Sequence, residues 1–204
     1  MAYARRSCIF VSFCAIVLAG WFILSRERTT QTTVSERRLL LRYRREFDTE
    51  RHRLAVIVPF RDRETHLRRF VDHMVSYLAK QGLTFHIFVI EQSRLGLFNR
   101  AKLCNIGFKL AVKEKYDYMC FHDVDMLPMH NGNPYKYPTN NPKHLATCAE
   151  QFGYTVPYNS YSGGVVVFTV RQYETINGMA NVYFGWGAED DDLSRRYVHG
   201  LNPD

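Results

Sequence analysis

Between residues 54 and 90 the apolar positions change period twice, and this alternation most narrows what the chain can fold into. Leu54-Ala55-Val56-Ile57-Val58 is a continuous apolar run stopped by Pro59, the pattern of a short buried strand. From Glu64 the period lengthens: Leu67, Phe70, Val71, Met74, Val75 and Leu78 recur at helical spacing, and Gly82 supplies a stop. Residues 85–90 read as a strand again. Strand, amphipathic helix and strand in immediate succession form a βαβ unit, which predicts an α/β fold whose sheet is at least partly parallel.

A second helix is expected from near Asn99, with Ala101, Cys104, Phe108 and Ala111 on one face. It leads to an apolar, aromatic run, Tyr118-Met119-Cys120-Phe121-His122, that ends in Asp123-Val124-Asp125 and closes at Pro128. If that run is a strand, Asp123 and Asp125 project to one side at its carboxyl end, because side chains alternate along an extended chain. Open α/β sheets bind ligands outside the carboxyl ends of their strands, and two acids on one side can share a cation there. An acidic turn after a core strand has the same local sequence. Beyond Pro128 come a long loop rich in Asn, Gly and Pro, a further buried strand over residues 163–170, and an Asn177-Gly178 turn. The aromatic loop Phe184-Gly185-Trp186-Gly187-Ala188 then precedes Glu189-Asp190-Asp191-Asp192, which opens a last helix.

The 204 residues leave room for one domain plus extensions. The net charge of +7 is concentrated in Arg37, Arg38, Arg42, Arg44, Arg45, Arg51 and Arg53, ahead of the first strand. That distribution argues for a basic stem over a nucleic-acid surface, with a polyanion-binding arm as the functional alternative. Residues 8–24 are apolar and uncharged and follow Arg5-Arg6, at the short end of what spans a bilayer. Bulky Trp21-Phe22-Ile23-Leu24 continue past the small residues Ala19 and Gly20, which favours an uncleaved signal anchor over a cleaved signal peptide. The expected order is a cytosolic tail (1–7), a transmembrane signal-anchor helix (8–24), a basic stem (25–53) and a luminal catalytic domain (54–204). So short a span points to the early secretory pathway, the Golgi or endoplasmic reticulum. Cys104, Cys120 and Cys148 would then face an oxidising lumen, where one disulfide and one odd thiol is the simplest accounting.

Three segments carry candidate chemistry. Pro59-Phe60-Arg61-Asp62-Arg63 directly follows the first strand, and its two guanidinium forks could hold phosphate. Phe98-Asn99-Arg100 follows the second strand, where an aromatic plane beside an arginine suits a nucleobase. Each alone also reads as a solvated turn. Carboxylates at a helix start interact with its dipole by about 0.3–1 kcal/mol each. That accounts for one or two acids more easily than for four behind Gly185-Trp186-Gly187. An indole face beside a carboxylate that accepts a hydroxyl proton suits a sugar.

Taken in order, Pro-Phe-Arg-Asp-Arg (59–63), Phe-Asn-Arg-Ala (98–101), Asp-Val-Asp (123–125), Tyr-Ser-Gly-Gly (161–164), Asn-Gly-Met (177–179) and Gly-Trp-Gly-Ala-Glu-Asp-Asp-Asp (185–192) make residues 54–204 resemble the β-1,4-galactosyltransferase family of type II Golgi membrane enzymes. The resemblance implies a GT-A-like nucleotide-sugar-binding fold with a mixed, partly parallel sheet. It implies inverting transfer of galactose from UDP-galactose to the 4-hydroxyl of a terminal GlcNAc on glycoprotein or glycolipid glycans, with Mn2+ as cofactor. On this mapping Pro59, Phe60, Arg61, Arg63, Phe98, Asn99, Arg100, Asp123, Val124 and Asp125 serve the donor, and Asp125 is the metal ligand. Tyr161, Gly164 and Trp186 also face the donor, Tyr161 as a filter on the size of its sugar. Tyr158, Ala188, Glu189, Asp190 and Asp191 face the acceptor, with Asp190 as general base and Glu189 beside it.

The residues from Gln151 to Gly164 look more like the GlcNAc-accepting branch, while His122 and Gly178-Met179-Ala180-Asn181 lean toward the xylose-accepting branch of proteoglycan linker synthesis. The expected partners are therefore UDP-galactose, a glycan acceptor (GlcNAc, with xylose second) and the membrane through the anchor, with no nucleic acid. Family members continue past the acidic helix to a His-containing segment that completes the metal site, and nothing after Asp192 matches it. On that comparison 54–204 is an incomplete catalytic domain, and a non-catalytic isoform is the alternative.

Overall fold

The computed structural model describes residues 9–11, 52–158 and 161–201. The expected cytosolic tail, residues 8 and 12–24 of the expected anchor and the stem up to Arg51 lie outside the described residues. In chain order the elements are β1 (Ile9–Val11), β2 (Arg53–Phe60), α1 (Glu64–Lys80), β3 (Thr84–Glu91), α2 (Arg100–Lys113), β4 (Tyr118–His122), β5 (Lys143–His144), a 3-10 turn (Glu150–Phe152), β6 (Val165–Thr169), α3 (Val170–Thr175) and α4 (Glu189–Leu201). They form one sheet in the order β1-β3-β2-β4-β6-β5. β2 runs parallel to β3 and β4, whereas β6 is antiparallel to β4, β5 to β6 and β1 to β3. The sheet is thus mixed, with a parallel centre.

Strand β2 is continuously apolar because both of its faces are covered. Ala55 and Ile57 pack in a core with Ala101, Leu103, Cys104 and Ala111 of α2. Leu54, Val56 and Val58 point the other way, into a core with Phe70, Met74 and Leu78 of α1. Each buried Leu, Val, Ile, Phe or Met among them contributes about 1.5–3 kcal/mol. The two helices therefore sandwich the parallel strands and hold their carboxyl ends in one plane. Helix α1 ends where Gly82 takes φ +69 and its N–H bonds to the Ala79 carbonyl at 3.0 Å. Helix α2 starts at Asn99, whose side chain accepts from the Lys102 N–H at 2.8 Å.

Gly107 lets α2 lie close on the sheet, since a Cβ there would fall 2.3 Å from Ile57 Cγ2. Gly107→Ala is expected to destabilise by about 1–3 kcal/mol through overpacking, against the gain of about 1 kcal/mol that alanine brings to an open helix position. Urea denaturation measures the sign directly.

Two expectations differ from the structure, the end of the last strand and the disulfide. The last strand stops at Thr169, because Thr169 and Gln172 form a capping box that makes Val170 the first residue of α3. Ile9–Val11 form a short strand at the sheet edge, and the remainder of the expected anchor lies outside the described residues. No helix among the described residues is long and apolar enough to cross a membrane. The expected disulfide is absent among the described residues: Cys104, Cys120 and Cys148 are all free. Cys104 and Cys120 belong to cores on opposite faces of the sheet, and Cys148 is exposed after β5.

Candidate active site

The parallel strands deliver their following loops to one edge. A cavity of about 270 Å³ there is lined by Pro59, Arg61, Arg63, Phe98, Arg100, Asp123, Val124, Asp125, Gly185, Trp186 and Glu189. The Arg61 guanidinium lies 5.2 Å from the centroid of the Phe98 ring, and its Nη1 donates to the Gly96 carbonyl at 2.9 Å. This holds the arginine flat against the wall and ties the loop after β2 to the loop after β3. Phe60 and Asn99 lie outside the cavity lining. Phe60 is buried in the α1-side core, and Asn99 caps α2 while its Nδ2 donates to the Asn181 carbonyl at 2.8 Å.

The two carboxylates after β4 line the same cavity but take different partners. Extended geometry ends at His122: Asp123 N–H bonds to Gly164 O at 2.9 Å and Met126 N–H to Asp123 O at 3.2 Å, which turns the chain. Asp123 consequently meets Arg100 Nε at 2.6 Å, whereas Asp125, whose side chain is 44% exposed, meets Arg63 Nη1 at 2.5 Å. A turn after the strand, not extended alternation, thus brings both carboxylates to the cavity. His122 fixes that turn from behind. Its Nδ1 lies 2.9 Å from the Asp123 carbonyl, an acceptor, so Nδ1 carries the proton and Nε2 accepts from Tyr135 Oη at 2.9 Å. Burial pushes the imidazole down to about 4, which keeps it neutral at neutral pH.

Arg100 is the hub of the site. Its side chain is 9% exposed, and while Nε serves Asp123, Nη1 donates to Asp190 Oδ1 at 2.8 Å. Burial opposes its charge, but the Asp123 and Asp190 carboxylates more than offset that and hold it firmly protonated. Nη2 is buried with no hydrogen-bond partner. A buried charged donor left over in a cavity wall is costly unless a ligand oxygen meets it.

Residues before β6 and at the start of α4 adjoin this cavity through Arg100, and of them only Glu189 belongs to its lining, so that Tyr158, Tyr161, Gly164, Ala188, Asp190 and Asp191 lie outside it. Tyr158 Oη donates to Asp191 Oδ1 at 2.8 Å, and Ser162 Oγ donates to the Asp190 carbonyl at 2.8 Å. A Cβ on Gly163 would fall 2.9 Å from Tyr161 Oη and 3.0 Å from Asp190 Oδ2, so glycine is what lets the tyrosine and the carboxylate approach each other. Gly164, at φ +81, turns the backbone past Met126 into β6. Burial raises Asp190 to about 6, outweighing the opposite pull of Arg100, and Asp123, Glu189 and Asp191 push the same way as burial. Glu189 is buried in the first turn of α4. A carboxylate titrating near 6 is suited to taking a proton at neutral pH.

Trp186 is 97% exposed between Gly185 (φ +88) and Gly187 (φ +102), and Ala188 also has positive φ, +72. An alanine held there costs about 1 kcal/mol or more, a kind of strain that clusters at functional loops. The loop is anchored to the opposite edge where Gly185 N–H bonds to the Phe98 carbonyl at 2.8 Å. Sequence reading singled out neither Tyr135 nor the serine of Tyr-Ser-Gly-Gly, and no local signal marks a tyrosine that acts through a histidine 13 residues away.

Among the described residues no group of three or more His, Cys, Asp or Glu side chains could hold a metal ion. Asp125 nonetheless offers a hard, half-exposed carboxylate at the cavity wall. One carboxylate plus phosphate oxygens is a known way to hold a small divalent cation, so the donor set fits an ion bound together with a diphosphate.

This arrangement has relatives. A family model for the N-terminal region of glycosyl transferase group 7 matches residues 22–138, and one for the N-terminal domain of galactosyltransferase matches residues 143–201. The chain belongs to the β-1,4-galactosyltransferase family. It is 45% identical over 156 residues to beta-1,4-galactosyltransferase 3 of Cricetulus griseus, covering 76% of this chain and 40% of that protein. It is 44% identical over 150 residues to beta-1,4-galactosyltransferase 1 of Mus musculus, covering 72% and 37%. The chain thus spans less than half the length of these relatives. Among solved structures, a mutant of Drosophila β-1,4-galactosyltransferase 7 in complex with manganese, UDP-Gal and xylobiose superposes with a TM-score of 0.66 at 40% identity. That match covers 71% of this chain and 60% of the other. The catalytic domain of the same Drosophila enzyme with xylobiose gives 0.65. The mixed sheet and α/β layering are those of this galactosyltransferase fold.

Proposed function

We propose that residues 53–201 form the donor-binding and base-bearing part of an inverting galactosyltransferase that uses UDP-galactose and the 4-hydroxyl of a terminal GlcNAc. The observation that carries this reading is Arg100, one buried guanidinium joining Asp123 on the donor edge to Asp190 on the acceptor edge with a further N–H to spare. Arg61 on Phe98 and the forked Arg63 supply an aromatic plane and positive charge of the kind that suits a nucleoside diphosphate.

In the proposed reaction Asp190 takes the proton of the acceptor hydroxyl as that oxygen forms its bond to the anomeric carbon. The bond from that carbon to the diphosphate breaks, and UDP leaves with the electron pair. Attack from the face opposite the leaving group inverts the centre, so no enzyme nucleophile is required. Mn2+, held with the diphosphate and Asp125, would supply charge compensation for the leaving group. Arg63 and Arg100 orient the anion, and Trp186 on its glycine-flanked loop shields the sugar from water.

A second acceptor, xylose, is favoured by His122 and Gly178-Met179-Ala180-Asn181 and by the xylobiose bound in the structural relatives. Residues 1–53 are proposed to place this domain in the Golgi lumen as a single-pass type II membrane protein. The test is UDP release from UDP-galactose and Mn2+ with GlcNAc or xyloside acceptors, run beside calorimetric titration of UDP. Binding without turnover would favour a non-catalytic UDP-binding protein, and no binding would overturn the donor assignment. Fluorescence gives an independent check, since Trp21 is the second of only two tryptophans. In a Trp21→Phe variant, UDP-galactose with Mn2+ is expected to shift Trp186 emission to the blue as the ring leaves water.

A further inference from the structure

We propose that His144, which lies outside every motif read from the sequence, is a positioning residue that sets Tyr161 and thereby which sugars fit beside Asp190. The inference rests on the donor-site reading above and concerns how its selectivity is built. Tyr161 is only partly buried, yet its ring is closed in on three sides at edge-to-face angles. His144 lies at 5.2 Å and 72°, Phe152 at 5.3 Å and 79°, and Tyr158 at 5.6 Å and 77°. The Tyr158 carbonyl accepts from the Tyr161 N–H at 3.1 Å, and His144 alone of the three holds the backbone through its side chain: its Nε2 lies 2.7 Å from the Gly163 carbonyl. A carbonyl can only accept, so Nε2 carries the proton and the ring orientation is fixed by that bond.

The same glycine is where the Tyr161 hydroxyl and the Asp190 carboxylate converge, both closer than van der Waals contact to where a Cβ would stand. His144 therefore grips both the ring and the floor beneath it. It can do so because β5, only Lys143–His144, pairs antiparallel with β6 and puts His144 opposite Val166, beside the Gly163-Gly164 turn. A two-residue strand buries little surface. It is held by its pairing with β6, by the Leu145 N–H to the Val165 carbonyl at 2.9 Å and by Leu145 and Ala146 against the core. The histidine also borders a second cavity of about 770 Å³ that reaches Asp125, so its far side has space to accommodate replacement rings.

The two roles of the imidazole can be separated. His144→Phe keeps an aromatic edge against Tyr161 and loses the donor to Gly163, His144→Gln keeps a donor and loses the ring, and His144→Ala loses both. Calorimetry with Mn2+ would measure UDP, UDP-galactose and UDP-N-acetylgalactosamine on each variant. The expected result for His144→Ala is UDP affinity within about twofold of wild type, with the preference for UDP-galactose over UDP-N-acetylgalactosamine reduced about tenfold. The Phe and Gln variants should each restore part of that preference. In parallel, 3-fluorotyrosine at position 161 should give one sharp ¹⁹F resonance in the wild type and a broadened or shifted one in His144→Ala. Unchanged selectivity and an unchanged ¹⁹F line in His144→Ala would overturn the proposal. If the wild type binds no UDP-sugar the donor reading fails, and the ¹⁹F comparison alone decides whether His144 positions Tyr161.

Discussion

Arg100→Ala is expected to cost about 3 kcal/mol of folding stability and to abolish measurable UDP binding. Removing one partner of a buried ion pair leaves the other charges uncompensated, a loss of about 3–5 kcal/mol. The lower end applies because Asp123 and Asp190 keep 30% and 24% of their side-chain surface exposed. Arg100→Lys is informative beside it. A single ammonium cannot reach Asp123 and Asp190 with the two separate N–H vectors that Nε and Nη1 provide, so lysine should recover part of the stability and little of the binding. Urea midpoints and UDP titrations on the two variants check both parts. A stability change below about 1 kcal/mol for alanine would mean that the pairs are worth no more than surface salt bridges.

Asp190→Asn is expected to lower turnover by about 10²–10⁴-fold, the usual contribution of a positioned general base, while leaving UDP affinity largely intact. Asparagine can still accept from Arg100 Nη1, which separates the loss of basicity from the loss of the hub. Because burial lifts Asp190 to about 6 and only the ionised form can take a proton, the wild-type rate should rise as pH increases through about 6 and level off above it. The stability effect has the opposite slope. A carboxyl whose folded value is raised contributes stability that is fully present below its ordinary value of 3.8 and is lost as pH rises through about 6. Asp190→Asn should therefore match wild type near pH 4 and equal or exceed it at pH 7. Thermal melts at the two pH values test this, and turnover retained above a tenth of wild type would rule Asp190 out as the base.

The parallel centre of the sheet was legible because its strands are buried on both faces, and burial on both faces forces unbroken apolar runs such as Leu54-Ala55-Val56-Ile57-Val58. The bounds of β4 at Tyr118 and His122 follow from the same cause. The direction of β6 was not legible, since Val165–Thr169 has the same composition whichever way it runs. The end of β6 depended on a capping box between Thr169 and Gln172 that competes with a valine's preference for strand. In the site, motifs place residues on an edge but do not say which carboxylate meets which arginine. Asp123 and Asp125 part company because of a turn bond between Met126 and Asp123, and Arg100 finds Asp190 across 90 positions of sequence. His144 was invisible for a similar reason, because its partners are a ring and a carbonyl that only the antiparallel register brings near.

The reversal of strand direction between β4 and β6 has a consequence for how such a site can diverge. The loops after β2, β3 and β4 and the segment before β6 are separate stretches of chain, and the bonds that join the first three to the residues from Gly164 onward include Arg100 to Asp190, Gly185 to Phe98, Asn99 to Asn181 and Asp123 to Gly164. Substitutions in residues 144–164 can reshape the sugar pocket while Pro59, Arg61 and Arg63 keep their places in the cavity lining. Descent with modification can then try new sugars without re-solving nucleotide recognition, provided that the one guanidinium spanning the seam is left alone.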